Sequence, residues 1–207
     1  KDFLSLEKLY AAGLRSIGLV WSRPNIFAHG VPFSFPRSPD TGPGLTSLGK
    51  ELVKICDEKN ILIDLSHLNE KGFWDVANLS TKPLIATHSN SHQLCQHSRN
   101  LTNTQLKAIK ESGGIVGINF ATGFLRSDGQ MNPDTNLDVI MEHCDYLLNY
   151  LGEEGIAIGS DFDGAVIPLK IKDLAGINNL KKHFISFGYD QKLIENIFFR
   201  NWLDFLE

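Results

Sequence analysis

The stretch Ile61–His92, "ILIDLSHLNEKGFWDVANLSTKPLIATHSNSH", decides the fold. Twice within it an apolar run ends on a histidine: Ile61-Leu-Ile-Asp-Leu-Ser-His67, then Pro83-Leu-Ile-Ala-Thr-His88. Both runs are short, apolar and without clean alternation. That is how a strand buried on both faces of a parallel sheet reads. In such sheets ligands bind at the carboxyl ends of the strands. The stretch therefore predicts two successive strands, each delivering an imidazole to one rim.

Outward from it, three further runs have the same character: Ser16–Trp21, Gly114–Phe120 and Gly155–Gly159. Helical patterns lie between the strands. Residues 46–59 place Leu48, Leu52, Val53 and Cys56 on one face. Residues 102–112 open on Thr102 with Gln105 three places on, a capping box, and stop at Gly113-Gly114. Residues 136–151 align Leu137, Ile140, Cys144, Leu147 and Leu151 before Gly152. The segment after Asp190 lines up Ile194, Ile197, Phe198 and Phe205, and the opening "DFLSLEKLYAAG" also reads as helix. Alternating strands and helices make βα units on a mainly parallel sheet. Two architectures satisfy that pattern: an open doubly wound sheet, or part of a (β/α)8 barrel. Residues 1–207 read as a single domain. Residues 22–44, rich in Pro, Gly and Ser and holding three Phe, form a long irregular loop. Loops of this length are lids or mobile surface excursions.

The chain has 207 residues, 42% hydrophobic and 21% charged, enough for one sizeable core. Its net charge is −4 and it lacks a Lys/Arg run, which argues against nucleic acid and anionic membrane as partners. No stretch approaches the roughly 18 apolar residues of a membrane span. The three cysteines are odd in number, widely spaced and without Cys-x-x-Cys, which predicts reduced thiols and, with them, a cytoplasmic location. The first residue is Lys1, so we expect a native start upstream, where any leader would also lie.

Polar residues gather where the strands end: Trp21, His67, His88, Asn119 and Asp161, the last in "GSDFDG". Two imidazoles and a carboxylate on one rim are what a metal-dependent hydrolase needs. Each also has a plainer reading. A histidine at a strand end can be a hydrogen-bonded structural residue, and Asp161 with Asp163 can cap a turn. Arg99, in "HSRNLT", is placed to pair with a substrate carboxylate or to lie on the surface.

The combination of "DLSH", "ATHSN", "CQHSRNLT", "GINF" and "GSDFDG" resembles the membrane (renal-type) dipeptidases, peptidase family M19. The resemblance runs from "RSIGLVWSRPN" to "NIFFRNWLDFL". It implies a (β/α)8 barrel of the metal-dependent amidohydrolase type, hydrolysing dipeptides with two zinc ions bridged by a glutamate. Carried over by position, His67 and His88 match the histidine pair on one zinc. Asp161 matches the aspartate that handles the proton of the attacking water, and Arg99 the arginine that holds the dipeptide carboxylate. Animal members have a histidine where Trp21 stands, helping to hold the scissile carbonyl. His92 is our nominee for that role here. The family's His-x-Asp and bridging Glu are absent from this sequence. Five strands are visible of the eight in a barrel, so the chain resembles the C-terminal two-thirds of a member. The expectation is an inactive polypeptide on its own, completed by a separate N-terminal fragment or a homodimer. The competing functions are another amidohydrolase, a lactonase or N-acyl amino acid deacylase, a non-catalytic binding protein on the same barrel, and a metal-free α/β module.

Overall fold

The computed structural model describes residues 3–207. A first helix, α1 (Leu4–Ala11), leads into β1 (Ser16–Gly18). After the long loop come α2 (Ser47–Glu58), β2 (Leu62–Asp64), α3 (Glu70–Leu79), β3 (Ile85–Ala86), α4 (Asn103–Glu111) and β4 (Ile115–Asn119). A one-turn helix α5 (Thr122–Leu125), then α6 (Asp138–Leu151), β5 (Ile156–Ser160) and α7 (Ile177–Phe187) follow. The chain closes with α8 (Gln191–Glu195), a π-turn and α9 (Asn201–Leu206).

All five predicted strands are present; four are shorter than their apolar runs, and β5 matches its run in length, displaced by one residue. They form one parallel sheet in the order β1-β2-β3-β4-β5. That order settles the architecture. A doubly wound sheet reverses direction at a switch point. This sheet adds every strand on the same side of the last, as the wall of a (β/α)8 barrel does.

The outer face of the sheet packs on the helices. Leu52, Val53 and Cys56 of α2, Leu106 and Ile109 of α4, and Ile140, Cys144, Leu147 and Leu151 of α6 are all buried in one core. These are the stripes the helical periodicity predicts. The capping box on α4 is formed in both directions: Thr102 Oγ1 accepts from the Gln105 backbone, and Gln105 accepts from the Thr102 backbone. Such a cap contributes about 1 kcal/mol and fixes where the preceding loop ends and the helix begins.

On the opposite face Ile85, Ile115 and Ala157 pack against Leu62, Trp202 and Phe205. Trp202 Nε1 donates to Ile158 O at 3.0 Å, and Asn201 Nδ2 donates to Ile156 O at 2.7 Å. Gly155 O accepts from Val116 of β4, so these alternate carbonyls face away from β4. Side chains of α9 thus occupy acceptors on the outer edge of β5. The three cysteines are reduced and buried, and burial pushes Cys56 and Cys95 up to about 11. Cys144 is also raised far above its ordinary value by burial.

Candidate metal centre

The rim is built from the strand ends. Gly117 of β4 and Gly159 of β5 let it tighten. A Cβ on either would lie within 2.0 and 2.1 Å of Thr87 O respectively, so only glycine permits this approach. Thr87 O thus lies against both glycines, and the next residue, His88, meets His67.

The two Nε2 atoms are 3.0 Å apart, and the ring centroids 5.0 Å. Behind His88 stands a relay. Asp64 accepts from Ser66 Oγ at 2.6 Å, Thr87 Oγ1 at 2.6 Å and the Thr87 backbone N–H at 2.9 Å. Burial works to raise the Asp64 carboxyl. The hydrogen bonds from Ser66 and Thr87, with the nearby His88, overcome that and hold it below the ordinary range. Asp64 is therefore ionised and accepts only. Thr87 has one hydroxyl proton and gives it to Asp64, so its oxygen must accept from His88 Nδ1, 2.7 Å away. This fixes the tautomer: His88 carries its proton on Nδ1 and presents a bare Nε2. Orientation of a ligand imidazole by such a partner is characteristic of metal sites.

His67 Nδ1 lies 3.1 Å from Ser22 Oγ, and the half-exposed Trp21 ring leans over it with centroids 6.1 Å apart. Burial, then the Arg99 charge, depresses both imidazoles, His67 to about 3. Both are neutral at physiological pH, the form that binds a metal. Two nitrogens on one tetrahedral zinc stand roughly 3.3 Å apart. The donor set fits one side of such a centre. Among the described residues, no three His, Cys, Asp or Glu side chains converge on one point.

Arg99 is 2% exposed, so the surface reading of this residue is wrong. Its guanidinium donates to the carbonyl oxygens of Ser66 and of His88, the latter at 3.1 Å, and reaches Ser89 Oγ at 3.5 Å. Nε is buried without a partner. Burial lowers the group only to about 10, so it stays charged. A buried cation among carbonyls, with no carboxylate on it, is a costly arrangement that an anion would relieve.

Asp161 sits past the end of β5 in a strained turn. Ser160, Asp161 and Asp163 have φ of +50°, +66° and +64°, left-handed backbone in non-glycine residues. Asn119 orients it. Asn119 Oδ1 accepts from Ala121 N–H at 2.7 Å, so Nδ2 must face Asp161 Oδ2, 2.8 Å away, and it also leans on His88 O at 3.4 Å. One amide joins the carboxylate to the histidine strand. Behind this lie buried groups that the sequence reading left unassigned. Asn90 exchanges hydrogen bonds with the Asn119 backbone, Asn100 donates to Phe124 O, and His143 accepts from Ser91 N–H and reaches Leu125 O. The motifs "HSN" and "RNLT" held two of these, but their partners are distant in sequence.

His92 does not join the pair; its Nε2 lies 3.1 Å from Arg37 O, in the long loop. That loop carries no helix or extended strand. It is stitched to the rim: Val31 N–H donates to His67 O, Arg37 N–H to Gln96 O, and Ser34 and Ser98 bond in both directions. Between Phe33, Phe124, Met131 and the Asp161 turn lies a cavity of about 340 Å³.

A parallel sheet wound in one direction, with paired neutral imidazoles and a carboxylate on its C-terminal rim, defines a metal-dependent amidohydrolase-type barrel. The chain belongs to peptidase family M19, the membrane dipeptidases, whose family model matches residues 1–207. It is 51% identical over 202 residues to an uncharacterized protein in the pqqA 5' region of Klebsiella pneumoniae, covering 98% of this chain and 74% of that one. A metallo peptidase from Rhodobacter sphaeroides, solved with a phosphinate mimic of the dipeptide L-Ala-D-Ala, is 50% identical. It superposes with a TM-score of 0.96 over 98% of this chain and 57% of its own. The metallo peptidase dipeptidase AC is 51% identical, with a TM-score of 0.97 over 98% of this chain and 58% of its own. The chain thus spans under two-thirds of the length of these solved structures. No helix among the described residues is long and apolar enough to cross a membrane.

Proposed function

We propose that the intact protein is a zinc-dependent dipeptidase, with two metal ions in the complete site. The observation that carries this reading is the convergence of two neutral imidazoles, Nε2 to Nε2 at 3.0 Å, beside a buried arginine that lacks an anion. The dipeptide mimic bound by the Rhodobacter sphaeroides relative supports the same substrate class.

His67 and His88 would hold one metal, with the His88 tautomer set by Thr87 and Asp64. A metal held there would supply Lewis-acid polarisation of the scissile carbonyl and a more acidic water. Asp161, one oxygen fixed by Asn119, takes the water's proton on its other oxygen and passes it to the leaving amine. Arg99 pairs with the free C-terminal carboxylate, which restricts substrates to two residues and supplies positioning energy. Trp21 occupies the place of a carbonyl-holding histidine, and residues 22–44 cover the rim as a lid. The 207-residue polypeptide supplies two imidazoles of this centre and is inactive alone.

The test is metal content by elemental mass spectrometry, followed by a panel of dipeptides, N-acyl amino acids and lactones. For the intact protein purified without chelator, we expect about two zinc ions per chain and turnover of dipeptides alone. Turnover of acyl amino acids or lactones instead would replace the reading with another amidohydrolase. Metal without turnover of any panel member would leave a binding protein. About two zinc ions on the 207-residue polypeptide would sink the claim that it is inactive alone.

A further inference from the structure

The two imidazoles are held by different parts of the molecule. His88 has Thr87 Oγ1 at its Nδ1, Ser66 Oγ accepting from its backbone N–H at 3.1 Å, and Arg99 on its carbonyl. His67 is held by the long loop. Ser22 Oγ lies 3.1 Å from its Nδ1, the Trp21 ring leans over it, and Val31 N–H donates to its carbonyl at 2.9 Å. The residues after it are held in the same way: Gly30 bridges to Leu68, and Asn69 N–H donates to His29 O at 3.3 Å. Among the described residues, Ser22 is the one hydrogen-bond partner of His67 Nδ1. Nor is Ser22 on a free length of chain. Asn25 Nδ2 donates to Leu19 O at 2.9 Å, and its Oδ1 accepts from the Phe27 and Ala28 N–H groups at 2.8 and 3.0 Å. This turn folds the loop back onto the end of β1. The returning chain passes so close that a Cβ on Gly30 would lie 1.7 Å from Trp21 O. Ser22 and Val31 are thus carried on one folded unit, and both grip His67.

With Nε2 of His67 turned to a metal, the imidazole proton sits on Nδ1, and Ser22 Oγ is its acceptor. An imidazole coordinated at Nε2 is a stronger donor at Nδ1, because the ring shares the charge of the ion. A contact that metal binding strengthens must strengthen metal binding by the same factor. We infer that Ser22 is the positioning residue of His67, and that zinc binding and the hold of residues 22–31 on the rim are linked through it. The inference rests on the proposed metal centre. His88, whose partners all lie outside the long loop, gives that loop no such link.

The experiment uses the intact protein and reads zinc affinity, by competition with a chelator, and hydrogen exchange over residues 22–34 with and without saturating zinc, by mass spectrometry. In the wild type, zinc is expected to slow that exchange about tenfold, the lower end of what such partners contribute. Ser22→Ala is expected to weaken zinc binding about tenfold and to cut the slowing to less than about twofold. Ser22→Thr keeps the hydroxyl and is expected to restore both. Thr87→Val is the contrast: zinc binds more weakly, yet at saturation it slows exchange as in the wild type. Unchanged zinc affinity in Ser22→Ala would overturn the role of Ser22. Lower affinity with the slowing retained would overturn the link to the loop. Loss of the slowing in Thr87→Val as well would assign it to the metal centre at large and overturn the route through Ser22. A wild type that binds no zinc would remove the proposed metal centre, and this inference with it.

Discussion

The rim at β2 and β3 and the rim at β5 are made in opposite ways. At β2 and β3 every polar atom around Asp64 is committed: its carboxylate takes three hydrogen bonds from Ser66 Oγ and Thr87, and Thr87 passes order on to His88. At β5 the backbone itself is strained, with left-handed φ at Ser160, Asp161 and Asp163, and an apolar hollow opens beside it. The first region is preorganised by hydrogen bonds, which suits metal ligands. The second stores backbone strain and leaves room, which suits the proton-exchanging role proposed for Asp161. One residue, Asn119, ties the two together.

The comparison breaks most sharply at Asp161. Asp161→Asn in the intact protein should lower kcat by about 10²–10⁴ while metal content is kept. Loss of metal instead would move Asp161 into the ligand set. Arg99→Met should raise KM for dipeptides by roughly a hundredfold, the cost of losing a buried charge pair. Unchanged KM would confine Arg99 to holding the Ser66 and His88 carbonyls.

His143 bolts the histidine loop to α5, and here pH is the probe. Burial lowers it to about 4, and its neutral form is the one that accepts from Ser91 N–H. The unfolded chain binds this proton near pH 6.5, before the folded protein does. Its contribution is therefore intact above about pH 6.5 and is lost as pH falls toward 4, by up to about 3 kcal/mol. Urea unfolding at pH 7 and pH 4.5 should show a smaller acid loss in His143→Gln than in the wild type; equal losses would acquit His143. Thr87→Val cuts the relay without changing shape and should weaken metal binding about 10–100-fold, read by competition with a chelator. The smallest effect is expected at Asp163. Asp163→Gly relieves a left-handed residue and should stabilise by no more than about 1 kcal/mol in thermal unfolding.

Much of this was legible in the sequence, for a physical reason. Apolar runs without alternation mark strands covered on both faces, and all five were found, with His67 and His88 at the ends of two. Thr102 and Gln105 announced the α4 cap because a cap is local. α3 went unread, since Gly72 interrupts its stripe, although Asn69 in fact caps it at the Gly72 N–H. Asp64 lies inside the decisive stretch and reads only as part of a strand, of which it is the last residue. Its importance comes from Thr87, and a buried polar pair has no period to betray it. Asn119 was placed on the rim by position alone; its hold on Asp161, and the burial of Arg99, come from contacts across strands. The left-handed residues of "GSDFDG" were invisible for the same reason that Asp and Asn tolerate them: the residue type permits the conformation without requiring it.

The burial of all three thiols has a practical consequence. A chain whose own cysteines sit in the core, each with its thiolate disfavoured, is silent toward maleimides and other electrophiles in the folded state. A single cysteine introduced at an exposed point of residues 22–44 would then take up a fluorophore or spin label at one site. Whether that loop moves against the rim then becomes a spectroscopic question, read from a single label.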